Sequence, residues 1–396
     1  MLSHMINYDT LIPAHVASLP SSGIRKFFDL LENMKDVTAL TVGQPDFITP
    51  WHIREAAIES LERGKTYYTS NAGLMEARRE IAAYMQRRFG LSYDPKDEII
   101  VTVGGSEAID IAVRGLVCPG DEVIIPEPSF VCYAPIVTLA GGIPVHLPLK
   151  AENKFKLTAA ELSSAITDKT KLLVLPFPNN PTGAIMEKEE LEAIAALLRD
   201  TNIAILSDEI YAELTYGKAH TSIASLEGMR ERTVVVGGFS KAYAMTGWRL
   251  GYTLAPAAIT RGMYKIHQYA IMCAPTQSQF AAIEALKNGD PDIEAMKEEY
   301  DRRRHYILKG LAEAGLECFA PEGAFYVFPK IAGFGLTSEE FCERLLYEHK
   351  VAIVPGTAFG ACGEGFARIS YAYSLSHITK ALAGIRDFVN ELKNNR

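Results

Sequence analysis

Between residues 98 and 238 short apolar runs alternate with stretches whose apolar positions recur at helical spacing. The runs EIIVTV (98–103), EVIIPE (122–127), IPVHLPL (143–149), KLLVLPF (171–177), IAILSDE (203–209) and TVVVGG (233–238) read as buried strands. Residues 106–116, 133–139, 159–166 and 189–199 read as the helices between them. In the last of these Leu191, Ile194, Ala195 and Leu198 fall on one stripe, the mark of a helix lying on a core. Strand and helix in turn predict an α/β fold with a mostly parallel sheet covered on both faces. Ligand chemistry in such sheets gathers at the carboxyl ends of the strands.

The flanks have a different texture. Residues 2–20 hold apolar residues without a period and read as an arm, and SSGIRKFFDLLENM (21–34) predicts a helix through Ile24, Phe27, Phe28 and Leu31. ALTVGQPDFITP is a short strand entering a turn at Gly43 and Pro45. Amphipathic helices follow at 51–64 and 74–89, separated by the polar loop GKTYYTSNAG. After Asn288 the polar KNGDPD predicts a break, then a charged helix over 293–314, strands in GAFYVFP and FARISYA, and a closing helix over 376–392. A chain of 396 residues with 48% hydrophobic content is too long for one ordinary core. We expect an N-terminal arm with part of a small domain (1–47), a large domain (48–290) and the remaining small domain (291–396).

Charge and cysteine usage narrow the function. Lysine and arginine total 40 against 48 aspartates and glutamates, a net charge of −8 without the basic stripe that nucleic acid requires. The six cysteines stand apart, with no CxxC pair or histidine at ligand spacing, so neither a disulfide framework nor a metal site is expected. With no basic-plus-apolar leader and no long apolar run, the expectation is a reduced, cytoplasmic protein without a membrane partner.

Candidate chemistry centres on TVVVGGFSKAYAMTGWRLGY (233–252). Lys241 follows a buried strand directly, and Arg249 sits between Trp248 and Leu250 in a second apolar run that also reads as buried. Taken alone, Lys241 is an ordinary surface lysine. Cations so close to core segments, however, call for an anionic or electrophilic partner, because an unpaired buried charge is costly. A phosphorylated aldehyde meets both demands, with a Schiff base on Lys241 and the phosphate on Arg249. Elsewhere the residues leave alternatives open. Asp208 is a helix cap or a functional carboxylate at a strand end, and Asn180 belongs to an ordinary NNPTG turn. Gly104, Gly105 and Ser106 form a generic anion site at a helix start. Phe130 reads as core, Arg368 as an edge-strand charge or a buried cation, and Arg25 as a helix-surface cation or a reader of a second carboxylate. GKT at 64–66 is not a P-loop, since Glu59 stands where its first glycine belongs.

SKAYAMTGWRLGY resembles the cofactor-lysine motif of the class I pyridoxal-phosphate aminotransferases of fold type I, and the similarity extends over nearly all of the chain. The resemblance implies a mostly parallel seven-stranded sheet in an αβα large domain, a smaller α+β domain, and a homodimer with shared active sites. It gives Lys241 the roles of cofactor attachment and general base. It has Asp208 keep the cofactor's pyridine nitrogen protonated, and has Tyr211 and Asn180 contact the ring's phenolic oxygen. Phe130 stacks on the ring. Gly105, Ser106, the main-chain N–H of Glu107, Ser240 and Arg249 form a phosphate cup, completed by Tyr68 of the neighbouring subunit, with Tyr67 as its alternate. Many relatives have serine where Gly238 stands here. Arg368, Asn180 and the N–H of Gly43 hold the substrate's α-carboxylate, and Ile24 and Arg25 belong to the segment covering the substrate. Within the family the chain is similar to the aspartate aminotransferase-like subgroup, and SGIRKFF with HQYAIMCAP resembles its N-acetyl-L,L-diaminopimelate aminotransferases. The implied activity is transfer of an amino group from an L-amino acid (aspartate-like, aromatic or N-acyl-diaminopimelate) to a 2-oxo acid, with 2-oxoglutarate as acceptor by family analogy. A carbon–sulfur lyase or decarboxylase on the same scaffold is the alternative. A cofactor-binding regulator is disfavoured by the acidic charge and by the short stretch before Gly43.

Overall fold

The computed structural model describes residue 6, residues 8–20 and residues 34–394. The helix expected over 21–34, with Ile24 and Arg25, falls outside the described residues except for Met34. Strands in chain order are β1 (Thr38–Ala39), β2 (Ile99–Thr102), β3 (Glu122–Glu127), β4 (Ile143–Pro148), β5 (Thr170–Leu175) and β6 (Ala204–Asp208). They continue with β7 (Thr233–Gly238), β8 (Gly251–Leu254), β9 (Tyr326–Val327), β10 (Val351–Ala352), β11 (Val354–Pro355) and β12 (Ala367–Ser370).

Seven of these form one sheet in the order β2-β8-β7-β6-β5-β3-β4. Its β3–β4, β3–β5, β5–β6 and β6–β7 pairs are parallel, while β8 runs antiparallel to both β2 and β7. The fold is thus the mostly parallel α/β architecture that the apolar alternation predicts. The hydrophobic pattern explains it: Val234, Val235 and Val236 are wholly buried, since a strand at the sheet centre meets helices on both faces. Each such valine contributes roughly 1.5–3 kcal/mol of burial. Helices Gly104–Leu116, Lys188–Leu198, Ala257–Ala270 and Thr276–Asn288 supply the covering layers. The predicted stripe of Leu191, Ile194, Ala195 and Leu198 is the buried face of its helix, whose start carries a reciprocal Glu187–Glu190 capping box.

A second core gathers Tyr300, Phe325, Tyr326, Phe341, Ile369, Tyr371 and Phe388. It lies under a three-stranded antiparallel sheet, β11-β12-β9, and a β1–β10 parallel pair that joins Thr38 to Val351. The expected break at KNGDPD shrinks to Gly289 alone, between helices Thr276–Asn288 and Asp290–Ala314. Pro291 sits in the first turn of the second helix, where its missing N–H leaves no intrahelical bond unmade. Among the described residues no helix is long and apolar enough to cross a membrane.

Candidate active site

Chain segments at the carboxyl ends of β2, β5, β6 and β7 surround a cavity of about 290 Å³. Its walls include Gly43, Gly105, Ser106, Phe130, Asn180, Asp208, Tyr211, Ser240, Lys241, Arg249 and Arg368. Strand order, not sequence spacing, brings them together.

Lys241 arrives from the turn after β7 and is only partly exposed. Its Nζ donates to the carbonyl of Gly43 at 2.6 Å. Loss of hydration, reinforced by the positive charges of Arg368 and Arg249 and only partly opposed by Asp208, lowers its pKa from 10.5 to about 8. At neutral pH a usable fraction is therefore uncharged amine. Competitive labelling of the apoprotein with acetic anhydride, an uncharged reagent, should show Lys241 modification rising with pH through a midpoint near 8 and then levelling off. A rise that continues to 10 would contradict this environment.

Asp208 closes β6, buried. Its Oδ2 accepts from the Tyr133 hydroxyl at 2.7 Å and its Oδ1 from the Ile210 N–H at 3.2 Å. Burial raises its pKa, while those two donors pull the other way. No helix follows Asp208 directly: its Oδ1 bond to the Ile210 N–H closes a turn, so the helix-cap alternative does not hold and the carboxylate lines the cavity. Tyr211, three residues on, places its hydroxyl 2.7 Å from that of Tyr326.

The NNPTG turn divides its labour. Asn179 spends its carboxamide within the fold: Oδ1 accepts from the N–H and hydroxyl of Thr182, and Nδ2 donates to the carbonyls of Pro128 and Pro176. Asn180 faces the cavity, its Oδ1 accepting from Arg368 Nη1 at 3.0 Å. Arg368 is not an edge charge. It lies on β12, the middle strand of its sheet, and is 2% exposed. Its guanidinium carbon is 4.7 Å from the ring centres of both Tyr326 and Phe359, and Nη2 donates to the Thr41 carbonyl. Among the described residues its buried Nε has no hydrogen-bond partner, a donor that an incoming carboxylate can satisfy.

On the opposite wall the helix Gly104–Leu116 begins at Gly104, not at Ser106, and aims its first N–H groups toward Ser240 and Arg249. Gly104 has φ +77°, and a Cβ there would stand 2.6 Å from Arg249 Nη2, so glycine lets the guanidinium lie close to the helix start. Arg249 departs from the sequence reading. It is exposed, not buried, because Trp248 beside it is only half-covered and its guanidinium opens onto the cavity rim, donating to the Thr246 carbonyl at 3.0 Å. Glu107 points away: its carboxylate accepts from the Val103 N–H and contacts His267 Nδ1 at 2.5 Å, leaving only its main chain toward the helix start. At Gly238 a Cβ would lie 2.7 Å from the tip of the Ile210 side chain, so a serine here would require that side chain to shift. Phe130 lines the cavity, edge-on to Tyr133.

One pair of expected residues is not brought here. Tyr68 is 78% exposed and Tyr67 56%, and neither lines the cavity of its own chain. Ile24 and Arg25 fall outside the described residues. Conversely, Tyr133 and Tyr326 line the cavity without having been singled out. Tyr133 is 75 positions from the Asp208 it bonds, and Tyr326 reads in GAFYVFP as one more core aromatic.

Comparison with known proteins identifies relatives over nearly the whole chain. Residues 35–385 match the model of the family described as aminotransferase class I and II. YugH of Bacillus subtilis, an aminotransferase by its name, is 54% identical over 377 residues, covering 95% of this chain and 98% of that protein. The aspartate aminotransferase of Pyrococcus abyssi is 46% identical, covering 94% and 96%. The solved aspartate aminotransferase of Thermus thermophilus with maleate superposes with a TM-score of 0.90 at 39% identity, covering 95% and 99%. Other relatives are named for aromatic amino acids and for N-acetyl-LL-diaminopimelate.

Proposed function

The chain belongs to the class I and II aminotransferases, and from that premise we propose that it carries pyridoxal phosphate on Lys241 and serves L-amino acids and 2-oxo acids at this cavity. The transfer of amino groups itself follows from the relatives, which are aminotransferases; the lyase alternative finds no support among them. The observation that carries the proposal is one cavity holding a lysine with a lowered pKa, a buried carboxylate and a buried arginine with an N–H that no described residue uses.

The residues fit the cofactor. The Gly104–Leu116 helix start, Ser106, Ser240 and Arg249 offer N–H, hydroxyl and guanidinium donors for a phosphate, in the space kept by the missing side chain of Gly104. Bound pyridoxal phosphate supplies an aldehyde for the lysine and a ring that takes up the electron pair left when the α-proton departs. The protein's own residues do the rest. Asp208 holds a proton at the ring nitrogen, while Tyr133 and the Ile210 N–H keep the carboxylate oriented. Tyr211 and Asn180 donate to the phenolic oxygen, and Phe130 covers the ring face. Arg368, flattened between two aromatic faces, pairs with the substrate's α-carboxylate, joined by the N–H of Gly43, and so turns the α-hydrogen toward Lys241. Lys241 Nζ then takes that proton, its low pKa matching the task.

The same proposal divides the chain at residues 47 and 290 and makes the working unit a cytoplasmic homodimer. Tyr68 does not line its own cavity, and Tyr8, Leu11, Trp51 and Tyr269 are exposed large apolar side chains of the kind a second copy would cover. For substrate, the relatives' names span dicarboxylic, aromatic and N-acyl donors, and Arg25 is the proposed reader of a distal carboxylate. A panel of amino donors with 2-oxoglutarate tests both points. The visible band of the holoenzyme should shift with good donors and new amino acid should form; a band unmoved by every donor would sink the proposal. Arg25→Ala should lower kcat/KM for dicarboxylic donors by about tenfold, the worth of one charge-assisted pair, and spare neutral ones. Equal loss on both would remove Arg25 from specificity.

A further inference from the structure

Tyr326 comes from β9 in the three-stranded sheet, whereas Tyr211 follows β6 of the large sheet. Their hydroxyl oxygens nevertheless meet at 2.7 Å, with both residues almost wholly buried. Three features hold Tyr326 in place. Its ring lies against the Arg368 guanidinium at 4.7 Å, and it packs edge-on to Tyr211 at 5.9 Å. Its hydroxyl also fills the space left by glycine at position 43, where a Cβ would stand only 2.3 Å from the oxygen. Among the described residues Tyr211 is the hydrogen-bond partner of that hydroxyl.

Each phenol has one proton, so the pair holds one proton between its oxygens and has one left to give outward. Tyr211 is the member proposed above to donate to the phenolic oxygen of the cofactor. Once it does so, the bridging proton has to be that of Tyr326. We propose that Tyr326 is a positioning residue that donates to Tyr211, making Tyr211 a stronger donor toward the ring oxygen and so favouring the charged, phenolate form of the lysine-bound cofactor. A chain of hydrogen bonds strengthens each link by polarisation, more so in a buried site. Burial raises the pKa of both tyrosines, which keeps both protons available at neutral pH. The inference rests on the role assigned to Tyr211.

The test is the pH titration of the visible band in the holoenzyme, with Tyr326→Phe, Tyr211→Phe and the double variant. Phenylalanine keeps the ring against Arg368 and removes only the hydroxyl. Tyr326→Phe should move the midpoint to higher pH by roughly half a unit, because the phenolate form loses part of its stabilisation. Tyr211→Phe should move it further, and the double variant should titrate like Tyr211→Phe alone, since Tyr326 acts through Tyr211. If Tyr211→Phe shifts the midpoint while Tyr326→Phe titrates like the unaltered protein, this inference fails and the reading of Tyr211 stands. Shifts that add in the double variant would show another route and also overturn it. No shift from Tyr211→Phe would remove the underlying reading together with the inference.

Discussion

Lys241→Ala is expected to retain pyridoxal phosphate through non-covalent contacts yet lose at least about four orders of magnitude in kcat, because one amine serves as both attachment point and base. The cavity explains why neighbouring groups do not replace it. The other cations of the site are guanidiniums, Arg249 and Arg368, whose chemistry offers N–H donors and no acceptor. Asp208 is committed to Tyr133 and the Ile210 N–H. The phosphate donors lie on a different wall, so the variant should still bind the cofactor, with its band at the position of the free aldehyde. Steady-state turnover and the absorption spectrum of the same preparation check both halves. Near-normal turnover would contradict the role assigned to Lys241.

Asp208→Asn should lower kcat by about 10²–10³-fold, the scale seen when a charge aimed at a developing charge is removed. Asparagine keeps one oxygen for the Ile210 N–H, and its NH2 can donate to the Tyr133 hydroxyl with that bond reversed, so the fold around β6 should survive. It carries no negative charge, and the ring nitrogen loses the partner that keeps it protonated. A second effect has a definite sign. The negative charge of Asp208 raises the pKa of Lys241, so its removal should lower that pKa below the present value of about 8. Competitive labelling of Lys241 in the apoprotein then levels off at lower pH. Full activity with an unshifted labelling curve would argue that Asp208 only supports the turn.

Much of the large sheet was legible because its strands are buried on both faces and read as unbroken apolar runs. β8 was not, since its four residues, GYTL, are too few to show a period and follow directly on the functional WRL segment. The proposed site residues were readable where chemistry marks them, as with a lysine behind three valines, whereas Arg368 in FARISYA left an edge charge and a buried cation both open. They were unreadable where the partner is distant in sequence. Nothing near Tyr133 points to Asp208, and Tyr326 shows its hydroxyl's purpose only once the small sheet sets it against Tyr211. Arg249 shows the limit from the other side. Apolar neighbours suggested burial, but Thr246–Trp248 is a single helical turn that lifts the arginine onto the rim at φ +53°.

The covalent link at residue 241 is tested most directly by reducing the holoenzyme with borohydride, digesting it and mapping the modified peptide by mass. The account predicts a single pyridoxyl group, on the lysine of the FSKAYAM segment. A reduced group on another lysine, or no modified peptide from a protein that binds the cofactor and is active, would contradict it.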